Sequence, residues 1–310
     1  EKELISQFGI PYHGISTGKL RRYFSVQNFT DPFRVIKGMG EARKLIKILE
    51  PDVIFSKGGF VSVPVVLAGK GQHVPVIIHE SDMTPGLANK LSIPSATKVC
   101  CNFPETMKGL PDSKPVLTGT PIRDELFQGD RKRGLALCGF DESKPVLMVI
   151  GGSLGASSVN KTVRDNLDAL LQKFQIVHLC GKDKMDNLLL TRPGYRQFEY
   201  VKEDLKDLYA MADIVLSRAG ANAICELLAL KKPNLLVPLP TGRGDQKLNA
   251  ASFEAQGYSI VVQDDDLPDV ILEKISELYE HRNQYISAME KSSQTDSNRL
   301  VLNLIEQEAK

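Results

Sequence analysis

Two runs of one repeating pattern constrain this chain more than any other feature: a short apolar segment, a glycine-rich or polar turn, then a helical period. In the first run Pro51 to Ser56 is followed by Lys57-Gly58-Gly59-Phe60 and a helix over 63–68. A strand over 74–78 then leads into His79-Glu80-Ser81-Asp82 and a helix opened by Pro85 and Gly86. Strands over 99–102 and 116–118 follow, the second running into Gly119-Thr-Pro-Ile-Arg123. The second run starts with a strand over 145–150, the loop Gly151-Gly-Ser-Leu-Gly-Ala156 and a helix from about Ser157. Its further strands lie at 176–180, 198–201, 214–216, 235–238 and 259–262, with helices from about Pro268 and Asp296 to close the chain. Strands apolar on both faces belong to parallel sheets covered by helices on both sides. The fold class is therefore α/β, with two doubly wound, Rossmann-like parallel sheets. The polar, glycine-punctuated stretch Asp124 to Lys144 separates the runs. The expected units are 1–124, a linker over 125–144, a second domain over 145–295 and a closing helix over 296–310. A chain of 310 residues is long enough to give each domain its own core.

In open parallel sheets ligands bind beyond the carboxyl ends of the strands, where all these turns lie, so a cleft between two such domains is the expected active site. The most informative turn is Asp213 to Glu226, which reads as the end of a strand, a tight turn over Ser217 to Gly220 and a helix from Ala221 to Leu230. Unpaired N–H groups in a first helical turn, at the positive end of the helix dipole, favour a phosphate or diphosphate. Arg218 adds charge there, and Glu226, about a turn and a half into the helix, is placed to accept both hydroxyls of a ribose. An ordinary strand-to-helix junction with a solvated Arg and Glu is the other reading of this stretch. The loop at Gly151 is G-G-x-x-G rather than the dinucleotide G-x-G-x-x-G, and it lacks the Lys-Ser/Thr pair of a P-loop. It gains weight from Ser153 as a hydroxyl donor, from Arg123, and from the amides of Gln246 and Asn249 at a neighbouring helix start. A ribose-binding acid inside a helix, not at the end of the second strand, points away from dehydrogenases.

A net charge of +1 gives no support for a nucleic-acid binder, so basic surface is expected to be local. It concentrates between Gly18 and Lys47, where Lys19, Arg21 and Arg22 interleave with Phe24 and Phe33 ahead of Arg43, Lys44 and Lys47. Cations among bulky apolar residues suit an anionic membrane surface; a solvated loop and an amphipathic helix are the alternative. No apolar run approaches the about 20 residues that span a bilayer, and the first residues are unlike a signal peptide. The five cysteines are scattered without C-x-x-C spacing, as expected of free thiols in a reducing cytosol. His79-Glu80 has no second histidine at zinc-protease spacing, so no metal site is expected.

Gly151-Gly-Ser-Leu-Gly-Ala156, Ser217-Arg-Ala-Gly-Ala221 with Glu226, Asp245-Gln246 with Asn249, His79-Glu80-Ser81-Asp82 with Pro85-Gly86 and Asn89-Lys90, and Gly119-Thr-Pro-Ile-Arg123 resemble, in order and spacing, the MurG family. These are the UDP-N-acetylglucosamine transferases of glycosyltransferase family 28. The resemblance extends over essentially the whole chain. It implies a two-domain glycosyltransferase B fold and transfer of N-acetylglucosamine, with inversion, from UDP-N-acetylglucosamine to the C4 hydroxyl of undecaprenyl-diphosphate-linked N-acetylmuramyl pentapeptide. It also implies no required cofactor or metal and peripheral attachment to the cytoplasmic face of the membrane. Carried over by residue, Glu226 holds the ribose, Ser153 and Arg123 the diphosphate, and Val201 the uracil. The helix start Ala221, Asn222, Ala223, Ile224 and Cys225 meets the diphosphate and sugar, and Gln246 and Asn249 take the sugar hydroxyls. On the acceptor or membrane side the resemblance places Gly58, Gly59, His79 and Asn89 alongside Lys19, Arg21, Arg22, Phe24 and Phe33.

Inverting transfer needs a base for the acceptor hydroxyl. Asp82 and Glu80 are its candidates, each equally readable as a hydrogen-bonded positioning group. Asp82 stands where many members have Asn, which turns a possible donor into an acceptor-only group. The family opens with a strand and a glycine-rich, histidine-containing loop that has no counterpart after Glu1, so a truncated acceptor domain is expected. Two other readings remain: a nucleotide-sugar-binding chain without turnover, and a UDP-N-acetylglucosamine 2-epimerase or glycolipid synthase on the same fold.

Overall fold

The computed structural model of the chain describes residues 2–17, 27–152, 156–241 and 244–309. Its first sheet holds β1 (Ile54–Ser56), β2 (Val76–Glu80), β3 (Lys98–Cys101) and β4 (Pro115–Leu117) in the order β1-β2-β3-β4, all parallel. The second holds β5 (Val146–Ile150), β6 (Gln175–Leu179), β7 (Tyr195–Phe198), β8 (Ile214–Ser217), β9 (Asn234–Leu236) and β10 (Ser259–Val261) in the order β10-β9-β8-β5-β6-β7, also all parallel.

Alternate residues of each strand serve opposite faces. Leu147 and Val149 pack with Ile214, Leu216 and the helix Leu267–Glu280, whereas Val146 and Met148 pack with Val215, Leu208 and Met211 on the other side. A strand buried on both faces must be apolar throughout, which is why β5 and β8 read as unbroken runs.

In the second sheet the strand order reverses between β5 and β8. Ile150 pairs with Ser217 at the ends of those strands, so the glycine loop and the turn before Ala221 leave the sheet side by side. That is the switch point at which such sheets open a crevice.

The structure departs from the sequence reading in three places. His79 and Glu80 lie inside β2, whose burial continues to its last residue, rather than in the turn after it. β7 comes three residues earlier than 198–201, leaving Val201 in the turn beyond the strand. The stretch read as linker contains the helix Arg131–Cys138, packed on the helix Leu205–Met211. Asp130 caps its first turn, and the approach is so close that a Cβ on Gly134 would lie 2.3 Å from the Asp207 carbonyl oxygen. Arg131 donates to both oxygens of Asp213, one of which also accepts from the Val146 amide at 2.7 Å, so this helix is fixed to the second sheet. The closing helix forms where the sequence reading expects it, as Ser297–Glu308, and it returns to the first sheet, where Val301 and Leu304 cover Ile77 and Cys100. Gln294, Ser297 and Asn298 bond the backbone of Asn102, Thr120 and Ile122 on the way.

Candidate active site

The helix Ala221–Ala229 begins directly after the turn that ends β8, and no side chain caps it. Ile224 already donates to Gly220, so the free donors of the first turn are the amides of Ala221, Asn222 and Ala223. Asn222 is exposed and Ala221 and Ala223 half-buried, whereas Ile224 and Cys225 are buried and present no side chain at this end. Burial pushes the Cys225 thiol up to about 11, so it is protonated and unreactive.

Glu226 faces Arg123 at 3.6 Å and accepts from the Tyr209 hydroxyl at 3.2 Å. Burial raises its pKa; Arg123 and Tyr209 work against that shift. The pairing brings a residue that follows the first sheet onto a helix of the second, across the cleft. Tyr209 had no signal in the sequence, because nothing marks a helical tyrosine as the partner of an acid seventeen residues later.

Arg218 is placed differently from its reading. It is 8 % exposed, pairs with Asp264 and donates to the Val237 carbonyl and Ser158 hydroxyl. Its charge is spent tying the turn after β8 to the helix Ser157–Asp165, not offered to a phosphate. Asn249 is fully buried: its amide donates to the Ala219 carbonyl at 3.3 Å and its oxygen accepts from the Met83 amide at 3.4 Å, linking the two halves. Gln246 accepts from the Leu239 amide at 3.0 Å, and Val201 packs half-buried against the core beside β7.

On the opposite wall, Lys57, Gly58, Gly59, His79, Glu80 and Asp82 line a cavity of about 340 Å³. Gly58 and Gly59 have φ of +90° and +87°, values that favour glycine and let the backbone fold back at the end of β1. Glu80 is 4 % exposed, and its oxygens accept from the amides of Asp82 and Gly86 and from Asn89 Nδ2, at 2.8 to 3.1 Å. The structure thus uses Glu80 and Asn89 to shape the loop, and Asp82 is the half-buried carboxylate of the pair. His79 is fully buried; its Nε2 meets the Gly119 carbonyl at 2.9 Å and its Nδ1 meets Lys57 Nζ at 3.1 Å. Burial, with the Lys57 charge second, lowers its pKa to about 4, so the ring is neutral near pH 7.

Ser153, Lys19, Arg21, Arg22 and Phe24 lie outside the described residues, as does the side chain of Phe33. Among the described residues no helix is long and apolar enough to cross a membrane.

The models of the N-terminal and C-terminal domains of glycosyltransferase family 28 match residues 1–101 and 146–304. A UDP-N-acetylglucosamine–N-acetylmuramyl-(pentapeptide) pyrophosphoryl-undecaprenol N-acetylglucosamine transferase from Lachnospira eligens is 59 % identical over 313 positions, covering all of this chain and 88 % of the relative. The transferase of the same name from Clostridium botulinum strain Hall is 54 % identical with the same coverage. The crystal structure of MurG from Acinetobacter baumannii superposes with a TM-score of 0.75 at 24 % identity, over 99 % of this chain and 88 % of that one. A UDP-N-acetylglucosamine 2-epimerase from Neisseria meningitidis follows the same fold at a TM-score of 0.62 and 14 % identity, over 93 % of this chain and 84 % of that one. With two domain models matched in order and relatives above half identity along its whole length, the chain belongs to glycosyltransferase family 28, among the MurG transferases.

Proposed function

We propose that the cleft transfers N-acetylglucosamine from UDP-N-acetylglucosamine to the C4 hydroxyl of undecaprenyl-diphosphate-linked N-acetylmuramyl pentapeptide, with inversion, in peptidoglycan synthesis. The observation that carries the site assignment is the Arg123 to Glu226 contact beside the uncapped start of the helix Ala221–Ala229. A nucleoside diphosphate laid there meets a carboxylate for its ribose hydroxyls and three free amides for its phosphates. As the bond to the sugar breaks, charge grows on the leaving diphosphate, and the amides of Ala221 to Ala223 with Arg123 stabilise it without reorganising. In this reading Glu226 exchanges Arg123 for the ribose, which frees the guanidinium for the diphosphate. Asp82, half-buried on the cavity wall, takes the part of base in preference to Glu80, which is 4 % exposed. No cofactor enters the scheme. The test is release of UDP coupled to appearance of the disaccharide on a lipid-linked acceptor, with Asp82→Asn compared; release of UDP without that product overturns the reading.

Membrane attachment belongs to the same proposal. The helix Gln27–Leu49 exposes Arg43, Lys44 and Lys47 beside Ile48 and Leu49, which are 75 % and 52 % exposed. Each cation near an anionic leaflet contributes about 1 kcal/mol, screened by salt. Changing Arg43, Lys44 and Lys47 together to Ser should lower co-sedimentation with anionic vesicles at low salt and leave neutral vesicles unaffected; unchanged sedimentation would leave this face an ordinary surface.

A further inference from the structure

Lys57 sits at the carboxyl end of β1, on the rim of the cavity that Gly58, Gly59 and Asp82 also line. Among the described residues the partner of its ammonium is His79 Nδ1, at 3.1 Å, and no carboxylate forms an ion pair with it. The tautomer of His79 follows from its other nitrogen: a carbonyl oxygen only accepts, so Nε2 carries the hydrogen and donates to Gly119, leaving the Nδ1 lone pair for Lys57 at 3.1 Å, nearer than the Ser81 hydroxyl at 3.4 Å. A neutral acceptor fixes the direction of the ammonium without cancelling its charge. Glu80, at the end of β2, acts on Lys57 through its charge, but its oxygens are held by the amides of Asp82 and Gly86 and by Asn89, and it forms no ion pair with the ammonium. Partial burial makes the bare charge costly, and lowers the Lys57 pKa accordingly. Two N–H groups remain for a ligand that brings negative charge.

The geometry points to Lys57, directed by the neutral imidazole of His79, as the contact for a substrate diphosphate in this cavity. The inference rests on the proposed transfer, in which donor and acceptor both carry a diphosphate. The cavity is lined by residues of the first half of the chain and not by the helix start at Ala221, where the donor's diphosphate is proposed to lie, which favours the acceptor's. Lys57 is then a substrate-contacting residue and His79 a positioning residue. His79 also holds Gly119, four residues before Arg123, so one ring aligns the cation of the cavity and the segment that carries the cation opposite Glu226.

Calorimetry with inorganic pyrophosphate on the full chain, with the donor site saturated by UDP, tests the contact without requiring turnover. Lys57→Met should weaken pyrophosphate binding by about tenfold to a hundredfold, the range for losing a charged hydrogen bond, with the melting temperature unchanged and Lys57→Arg restoring most of it. His79→Gln should weaken binding less than Lys57→Met and add nothing in the double variant, because a positioning role acts only through Lys57. Equal pyrophosphate affinity in wild type and Lys57→Met, or additive effects of the two substitutions, overturns the inference. Steady-state kinetics then separates the source: a higher KM for the lipid-linked acceptor alone assigns its diphosphate, and a higher KM for UDP-N-acetylglucosamine alone assigns the donor's. A Lys57-dependent pyrophosphate site in a protein that transfers no sugar would sustain the site and reject the transfer.

Discussion

Glu226 shows how a single side chain takes its character from what surrounds it. In sequence it is a glutamate in a helix; in the structure burial disfavours its charge while Arg123 and Tyr209 favour it, and the net pKa lies above the ordinary value. Ribose hydroxyls need the ionised form as acceptor, so UDP affinity should begin to fall on acidification at a higher pH than an unperturbed glutamate would give. For stability the sign is opposite: a carboxyl whose folded pKa is raised disfavours the fold above that pKa, and protonation relieves it. Calorimetric titration of UDP from pH 8 to about 3.5, which spans the ordinary range of glutamate, should show this loss in wild type in excess of the pH dependence that Glu226→Gln keeps from the titration of UDP itself. Glu226→Ala should weaken UDP binding by about 1.5 to 3 kcal/mol, as expected for losing charged hydrogen bonds; unchanged affinity would remove the ribose role.

At the scale of elements, the helix Arg131–Cys138 is the instructive case. Its sequence, RKRGLALC, carries a glycine at the fourth position and three cations at its start, so it reads as a charged connector. Packing gives the glycine its meaning, since the helix Leu205–Met211 approaches so closely that no side chain fits at Gly134. Gly134→Val should therefore destabilise by about 1 to 3 kcal/mol through overpacking, despite valine's β-carbon being no worse than glycine for helix propensity. Urea unfolding gives the value, and a midpoint equal to wild type would mean that the two helices separate freely. The start of the helix Ala221–Ala229 is the counter-example: its strand, turn and uncapped first turn were legible as such, because they depend on local sequence alone.

The molecule as a whole is tied together by chain that crosses between its two sheets twice, once over 118–145 and once where the helix Ser297–Glu308 returns to cover Ile77 and Cys100. Among the described residues the first sheet has four strands, and this helix closes one of its faces, so its loss should be felt there first. Leu304→Asp would bury an unpaired carboxylate or undock the helix, at a cost of several kcal/mol. Amide exchange should then accelerate in β2 and β3 while β5 and β8 keep their protection, as expected when one unit opens locally. Uniform acceleration through both sheets would mean that the protein unfolds as one unit.

The sequence by itself determined the fold class, the two runs of strands, and the glycine and helix-start motifs at their carboxyl ends. Those features are set by period, apolar run length and turn chemistry, which act over a few residues. Only the tertiary structure decided that β5 lies between β6 and β8, which brings Ile150 beside Ser217, and that Arg123 meets Glu226 across the cleft. It likewise decided that Arg218 and Asn249, legible as ligand donors, are occupied by Asp264, Ala219 and Met83. A side chain's partner is chosen by strand order and by packing between segments far apart in the chain, and no local pattern of residues carries that choice.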